Sequence, residues 1–225
     1  MNSRKGNDKT KSIFDFGNQS LMAPKPLCHM HTVYISGTIG QPEDYVDIFE
    51  TIRNCSEHDI VRIHINSQGG DLMTAIQFMR VMTDCQGHII ASVEGSCMSA
   101  ATMILLAAHS TEISEHSLFM FHNYSGGTIG KGGEMYDNIV YERQWSENLL
   151  RKVYEGFLEE DEIQSMLNNK DIWMNSDEVL SRLDNRVKYF EKLEAQMQKA
   201  ASEEAEKPKP TRKPRRKKGD QNETA

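Results

Sequence analysis

Three short runs rich in β-branched residues, each followed by a segment of helical spacing, constrain this chain more than any other feature. His31 to Ile39 (HTVYISGTI) ends at Gly40-Gln41-Pro42 and precedes Glu43 to Cys55, where Val46, Phe49 and Ile52 recur at helical intervals. Ile60 to Ile65 (IVRIHI) ends at Asn66-Ser67-Gln68-Gly69-Gly70, and Asp71 is placed to cap a helix over Leu72 to Thr83. His88 to Val93 (HIIASV) leads through a turn at Gly95 to Ser99 into an apolar helix, Ala100 to Ala108. Strands alternating with helices imply crossover connections and a largely parallel sheet. Beyond this core, Thr111 to Ile113 and Leu118 to Phe121 read as short strands, and Tyr124 to Gly133 as a glycine-rich loop or extended ribbon. Glu134 to Gly156, Glu159 to Leu167 and Ser176 to Ala200 read as helices.

Composition narrows the class. At 38% hydrophobic and 26% charged residues, the 225-residue chain has the make-up of a water-soluble globular protein. No run approaches the ~20 apolar residues that span a bilayer. The four cysteines, Cys28, Cys55, Cys85 and Cys97, lack disulfide or metal spacing, which fits reduced thiols in a cytoplasmic protein. Cys28-His29-Met30-His31 carries metal-ligating side chains. Adjacent residues alternate sides in a strand and no partner cluster is evident along the chain, so neither metal nor cofactor is expected. Charge is uneven: residues 207–225 hold eight Lys or Arg against two acids, about +6, leaving about −13 elsewhere from the total of −7. That tail, with three prolines and almost no apolar residues, reads as a solvated basic segment that could touch nucleic acid or an acidic surface. The expected organisation is a flexible segment over 1–24, a folded domain over 25–200, and a disordered basic tail over 201–225.

Candidate chemistry falls at strand ends, where open α/β sheets gather ligands. Gly69-Gly70 permits close backbone approach but is neither GxGxxG nor a Walker loop. Ser99 opens an apolar helix, whose unpaired N–H groups favour an oxyanion. His122 follows the strand Leu118 to Phe121 and has a pKa suited to a base, and Asp171 is a carboxylate that could orient it. Each also has a bland reading: Ser99 as a helix cap, His122 as a strand-end residue, Asp171 as one acid among many. A GxSxG elbow is absent, since Cys97 and Ala101 flank Ser99, which argues against an α/β-hydrolase.

In order along the chain, the residues resemble the Clp protease proteolytic subunit (ClpP) family of serine peptidases over roughly Val33 to Leu183. Ile65-Asn66-Ser67-Gln68-Gly69-Gly70 is similar to the family's Ile-Asn-Ser-Pro-Gly-Gly turn. Gly95-Ser96-Cys97-Met98-Ser99 resembles its nucleophile segment, Phe119-Met120-Phe121-His122-Asn123 its histidine strand, and Lys170-Asp171-Ile172-Trp173-Met174 its aspartate segment. The resemblance implies an α/β ClpP/crotonase-like fold of repeated ββα units with a protruding handle helix at 134–156. It implies a Ser99-His122-Asp171 triad and an oxyanion hole from the Gly69 and Ala100 amides. Extended substrate would lie between Gly70, Asp71 and Leu72 on one side and Ser125, Gly126, Gly127 and Thr128 on the other. It further implies a homo-oligomer of stacked heptameric rings, a tetradecamer, fed with unfolded proteins by an AAA+ unfoldase (a Clp ATPase).

Gln68 in place of proline, Ala100-Ala101 in place of Met-Gly, and Lys170 in place of an arginine that pairs across rings suggest a divergent member, from a phage or a specialised paralogue. Three other readings follow from the residues: a non-catalytic subunit of a mixed ring, a crotonase-like acyl-CoA enzyme, and a Clp-like protease dedicated to one viral assembly.

Overall fold

A computed structural model describes residues 27–205. The segment expected to be flexible, 1–24, and most of the basic tail, 206–225, lie outside the described residues. The chain runs β1 (Met30–Ile39), a 3-10 turn (Pro42–Tyr45), α1 (Val46–Arg53), β2 (Ile60–Gly70), α2 (Leu72–Asp84), β3 (His88–Met98) and α3 (Ala100–Leu106). It continues with β4 (Ser110–Ile113), β5 (Leu118–Phe121), α4 (Gly132–Tyr154), α5 (Glu160–Leu167), β6 (Ile172–Asn175) and α6 (Ser176–Ala205).

One six-stranded sheet in the order β1-β2-β3-β5-β6 organises the chain, with β4 also pairing β3. The first five strands are mutually parallel along these pairings, and β6 returns antiparallel to β5. Strand β3 serves two partners: Ile90 to Val93 pair with β4, and Ser96 to Met98 pair with β5. The alternation legible in IVRIHI sorts the sheet faces. Val61, Ile63 and Ile65 are buried against the helices, while Arg62 and His64 face the other way. That second face carries Tyr34 stacked on His64 (4.9 Å between ring centroids), His64 bonded to Glu94 (2.6 Å) and Arg62 paired with Glu112 (2.6 Å).

Helices α1, α2 and α3 cover the apolar face. Asp71 caps α2 as expected, its Oδ1 accepting from Thr74 N–H at 2.7 Å. The core closes on aromatic edges: Phe78 lies edge-on to Phe49 (4.8 Å) and Tyr45 (5.3 Å). Every buried side-chain polar atom among the described residues has a hydrogen-bond partner.

Several boundaries differ from the sequence expectation for one reason: backbone pairing continues where turn residues suggested a stop. Strand β2 runs through Asn66-Ser67-Gln68 to Gly70, and β3 runs through Gly95-Ser96 to Met98, because each finds a neighbour to bond. The expected turn at Gly95 to Ser99 is therefore strand almost throughout. The 43–55 helix is divided, with a 3-10 turn at its start. The short β6 was not anticipated, and α6 continues to Ala205, so residues 201–205, expected in the disordered tail, are helical. Residues 122–131 form a loop without regular structure.

Phe78→Ala removes a fully buried ring. It should lower unfolding free energy by about 3–5 kcal/mol, measured by urea denaturation.

Candidate active site

Two irregularities in the parallel register build the site. Between β1 and β2 the pairing passes from Gly37↔Ser67 to Thr38↔Gly69, leaving Gln68 as an extra residue on β2. Between β2 and β3 it passes from Ile65↔Val93 to Ser67↔Cys97, so β3 advances four residues while β2 advances two. Asn66 fills the second gap: its Oδ1 accepts from Ser96 N–H (3.0 Å) and Ser96 Oγ (3.1 Å). Together these shifts bring the end of β2 against the end of β3. A Cβ on Gly69 would lie 2.7 Å from both Met98 O and Ser99 Cβ, and one on Gly70 would lie 2.2 Å from Ile39 O. Only glycine permits those approaches.

Ser99 is held at φ 53°, ψ −127°, a backbone region that non-glycine residues rarely occupy. Its N–H donates to Met120 O (2.8 Å), extending the β3–β5 pairing by one bond. Its carbonyl accepts from Thr102 N–H (2.9 Å) and Thr102 Oγ1 (2.6 Å). Since the Thr102 hydroxyl proton is committed there, the Tyr154 hydroxyl donates to Thr102 Oγ1 at 2.8 Å. Tyr154 and Thr102 are both buried, and burial pushes the Tyr154 phenol up to about 12. The last turn of α4 thus braces the strained serine from beneath.

His122 leaves the end of β5, and its Nε2 lies 2.6 Å from Ser99 Oγ. In the Nδ1–H tautomer the serine hydroxyl donates to Nε2, the arrangement by which a neutral imidazole can take the proton of an attacking hydroxyl. Asn123 ties the same segment to the end of α5, donating to Leu167 O (3.3 Å) and Asn169 Oδ1 (3.2 Å).

The carboxylate end of the expected triad is open in this protomer. Phe121 pairs with Ile172, so His122 and Asp171 occupy neighbouring strand ends. Among the described residues, however, Asp171 makes no hydrogen bond or ion pair with His122, and its side chain is exposed. Lys170 is also exposed and forms no ion pair among the described residues.

The Gly69 amide, expected as an oxyanion donor, is engaged in this protomer. Its N–H donates to Ser67 Oγ (3.0 Å), and that hydroxyl donates to Gly37 O (2.6 Å). The extra residue at Gln68 turns the amide back along β2, so Gly69 contributes close approach rather than a free donor. Ala100 supplies the first amide of α3, one of the N–H groups a helix leaves without an internal partner.

A cleft of about 820 Å³ opens over Ser99 and His122. Gly70, Asp71, Leu72, Ser125, Gly126 and Gly127 line it, whereas Thr128 lies outside, in a neighbouring groove. Sequence reasoning missed its apolar wall, made by Met73, Met103, Tyr141, Trp145, Leu150 and Tyr154. Tyr141 and Trp145 are one helical turn apart on α4, as are Leu150 and Tyr154, but the five-residue step between the pairs breaks any single apolar stripe, so periodicity gave no signal for this wall.

Tyr154→Phe keeps the ring and removes only the brace. It should cost about 0.5–1.5 kcal/mol of stability, read by thermal or urea denaturation. It should also slow labelling of Ser99 by a serine-directed fluorophosphonate.

Among the described residues no helix is long and apolar enough to cross a membrane. No curated protein matches the chain. The family model described as Clp protease matches residues 29–182, a span that begins just before β1, ends within α6 and includes Ser99, His122 and Asp171. The chain belongs to the Clp protease family.

Proposed function

We propose that the protein is a serine endopeptidase that cleaves unfolded polypeptides within a ring-shaped chamber. The single observation that carries this reading is the 2.6 Å contact between Ser99 Oγ and His122 Nε2 at the floor of the cleft. Ser99 attacks the scissile carbonyl while His122 accepts its proton and returns it to the leaving amine. The Ala100 amide, at the positive end of α3, faces the charge that develops on the carbonyl oxygen. The backbone of Gly70 to Leu72 and the loop at Ser125 to Gly127 hold an extended peptide by main-chain hydrogen bonds, which tolerate many sequences.

Family membership implies assembly into rings in general. Two surfaces support it here. The first half of α4 stands away from the core with Tyr136, Ile139 and Tyr141 at least half exposed, and the outer sheet face is uncovered. Assembly offers a way to complete the triad, by moving exposed Asp171 onto His122 Nδ1. An AAA+ unfoldase would deliver substrate to the chamber.

A second reading, a non-catalytic subunit of a mixed ring, is favoured by the open Asp171 and the engaged Gly69 amide. Peptide cleavage by the pure assembled chain separates the two. Under the first reading, Ser99→Ala and His122→Ala each reduce kcat by about 10⁴–10⁶-fold, and Asp171→Asn by about 10⁴-fold. Absence of both cleavage and fluorophosphonate labelling in assembled rings would leave the structural role.

A further inference from the structure

At the opposite end of the sheet, the first residues of three parallel strands converge on a cluster of metal-binding side chains. A ring nitrogen of His31, the thiol of Cys55 and a carboxylate oxygen of Asp59 all lie within 4.8 Å of one another. The partner cluster that could not be seen along the chain is thus supplied by the fold. Strand alternation separates Cys28 and Met30 from His29 and His31, but it places the two histidines on one side, with ring centroids 6.0 Å apart. Cys55 follows α1 and Asp59 precedes β2. Cys55 Sγ donates to Thr51 O (3.2 Å), the only bond it makes among the described residues.

The backbone around the cluster is fixed. Ile60 N–H donates to His29 O (2.9 Å), and His88 N–H donates to Asp59 O (2.9 Å). A Cβ on Gly87 would lie 2.7 Å from Asp59 O, so the start of β3 sits directly against the 55–59 turn. Cys55 and Asp59 are buried at 4% and 6% exposure, while His31 is half-buried. Asp59 Oδ2 accepts from Ser56 N–H (2.8 Å) and Ser56 Oγ (2.7 Å), and Oδ1 accepts from His29 N–H (2.7 Å). The remaining bond on Oδ1 comes from the His29 ring, whose side chain is 60% exposed and can swing away. One carboxylate position can therefore be freed without breaking the turn. Such outer hydrogen bonds are what orient a ligating carboxylate.

We propose that His31, Cys55 and Asp59 bind a Zn²⁺ ion, with water in the fourth position. The donor chemistry selects the metal class: thiolate and imidazole suit Zn²⁺ and disfavour Ca²⁺ or Mg²⁺, which take oxygen donors. The separations suit it also. Tetrahedral Zn²⁺ needs donor atoms about 3.3–3.8 Å apart, at most about 1.5 Å inside the 4.8 Å limit here, a change that side-chain rotation at half-exposed His31 can supply. Binding would release the Cys55 thiol proton to solvent. The ion would pin the start of β1 to the α1–β2 turn at the end of the sheet remote from Ser99.

The test uses the full chain, purified reduced and metal-free, and titrated with Co²⁺ and then Zn²⁺. The expected result is one equivalent bound, a near-ultraviolet thiolate-to-cobalt charge-transfer band with the strong visible absorption of tetrahedral Co²⁺, and displacement by Zn²⁺. His31→Ala, at a half-buried position that leaves the core intact, should weaken Zn²⁺ binding by more than about tenfold and abolish the Zn²⁺-dependent rise in Tm. Cys55→Ala should abolish the charge-transfer band, and Cys28→Ala should leave it unchanged. Binding should persist in Ser99→Ala, since the two sites are separate. The proposal is overturned if no charge-transfer band appears at one equivalent or if His31→Ala binds as tightly as the parent. It is equally overturned if Cys28→Ala removes the band.

Discussion

Everything at the candidate active site depends on how closely two backbones approach, the end of β2 at Gly69 and the end of β3 at Ser99. With a separation of 2.7 Å between a notional Gly69 Cβ and Ser99 Cβ, no side chain can intervene. The approach is produced by register, not by a loop folding over. One extra residue at Gln68 and the lengthened run through Glu94 to Ser96 shift the strands until their ends meet. The polar groups released by those shifts are taken up locally, by Ser67 Oγ between Gly37 and Gly69 and by Asn66 Oδ1 against Ser96. Without Ser67 the buried Gly69 N–H would be left unpaired, at a cost of about 1–3 kcal/mol. Asn66 and Ser67 are therefore part of the scaffold of the site, although neither touches the reacting atoms.

The strain at Ser99 makes sense on that scaffold. A serine at φ 53° persists only where its surroundings over-determine it. Here the N–H is fixed by Met120 O, and the carbonyl by Thr102 with Tyr154 behind it. The hydroxyl is thereby aimed away from the helix and towards His122. Because β5 pairs with the upper half of β3, the Ser99–Met120 bond and the position of His122 two residues later are set by the same ladder. Nucleophile and base are positioned by one strand pair, which is why their contact is already made in a single protomer. Asp171 belongs to a different connection, the residue before the short antiparallel β6, and no hydrogen bond or ion pair among the described residues draws it onto His122.

What the sequence disclosed follows the same division. The β-rich runs, the period-two alternation of IVRIHI and the Asp71 cap are local signals, and the parallel sheet they imply is present. Ser99, at the start of an apolar helix, and His122, at the end of an apolar strand, each had a bland local reading, and the family resemblance singled them out; the structure puts them in contact. The strand extensions through Asn66 to Gly70 and Gly95 to Met98 were not legible, since glycine and polar residues there look like turns until a neighbouring strand supplies their hydrogen bonds. The engaged amide of Gly69 was hidden for the same reason, because a bulge is a property of two strands. The His31-Cys55-Asp59 cluster was hidden by distance along the chain, since His31 lies in β1 whereas Cys55 and Asp59 lie in the connection between α1 and β2.

Parallel topology also explains why the two ends of the sheet differ so much in character. All strands along the β1–β5 pairings point the same way, so their C-terminal ends collect the register shifts, the glycines at positive φ (Gly37, Gly69 and Gly70) and the strained serine. Their N-terminal ends hold no such strain. Asp59 instead binds the starts of β1, β2 and β3 into one turn through His29, Ser56 and His88. Those bonds, from the Ser56 hydroxyl first, hold its carboxyl well below the usual carboxylate range. A depressed carboxylate stabilises the fold at pH values above its ordinary titration range, and that stabilisation is lost as pH falls through the folded-state value. The rigid end of the sheet therefore depends on an ionised Asp59, and the strained end on the ladder that this rigid end keeps in register.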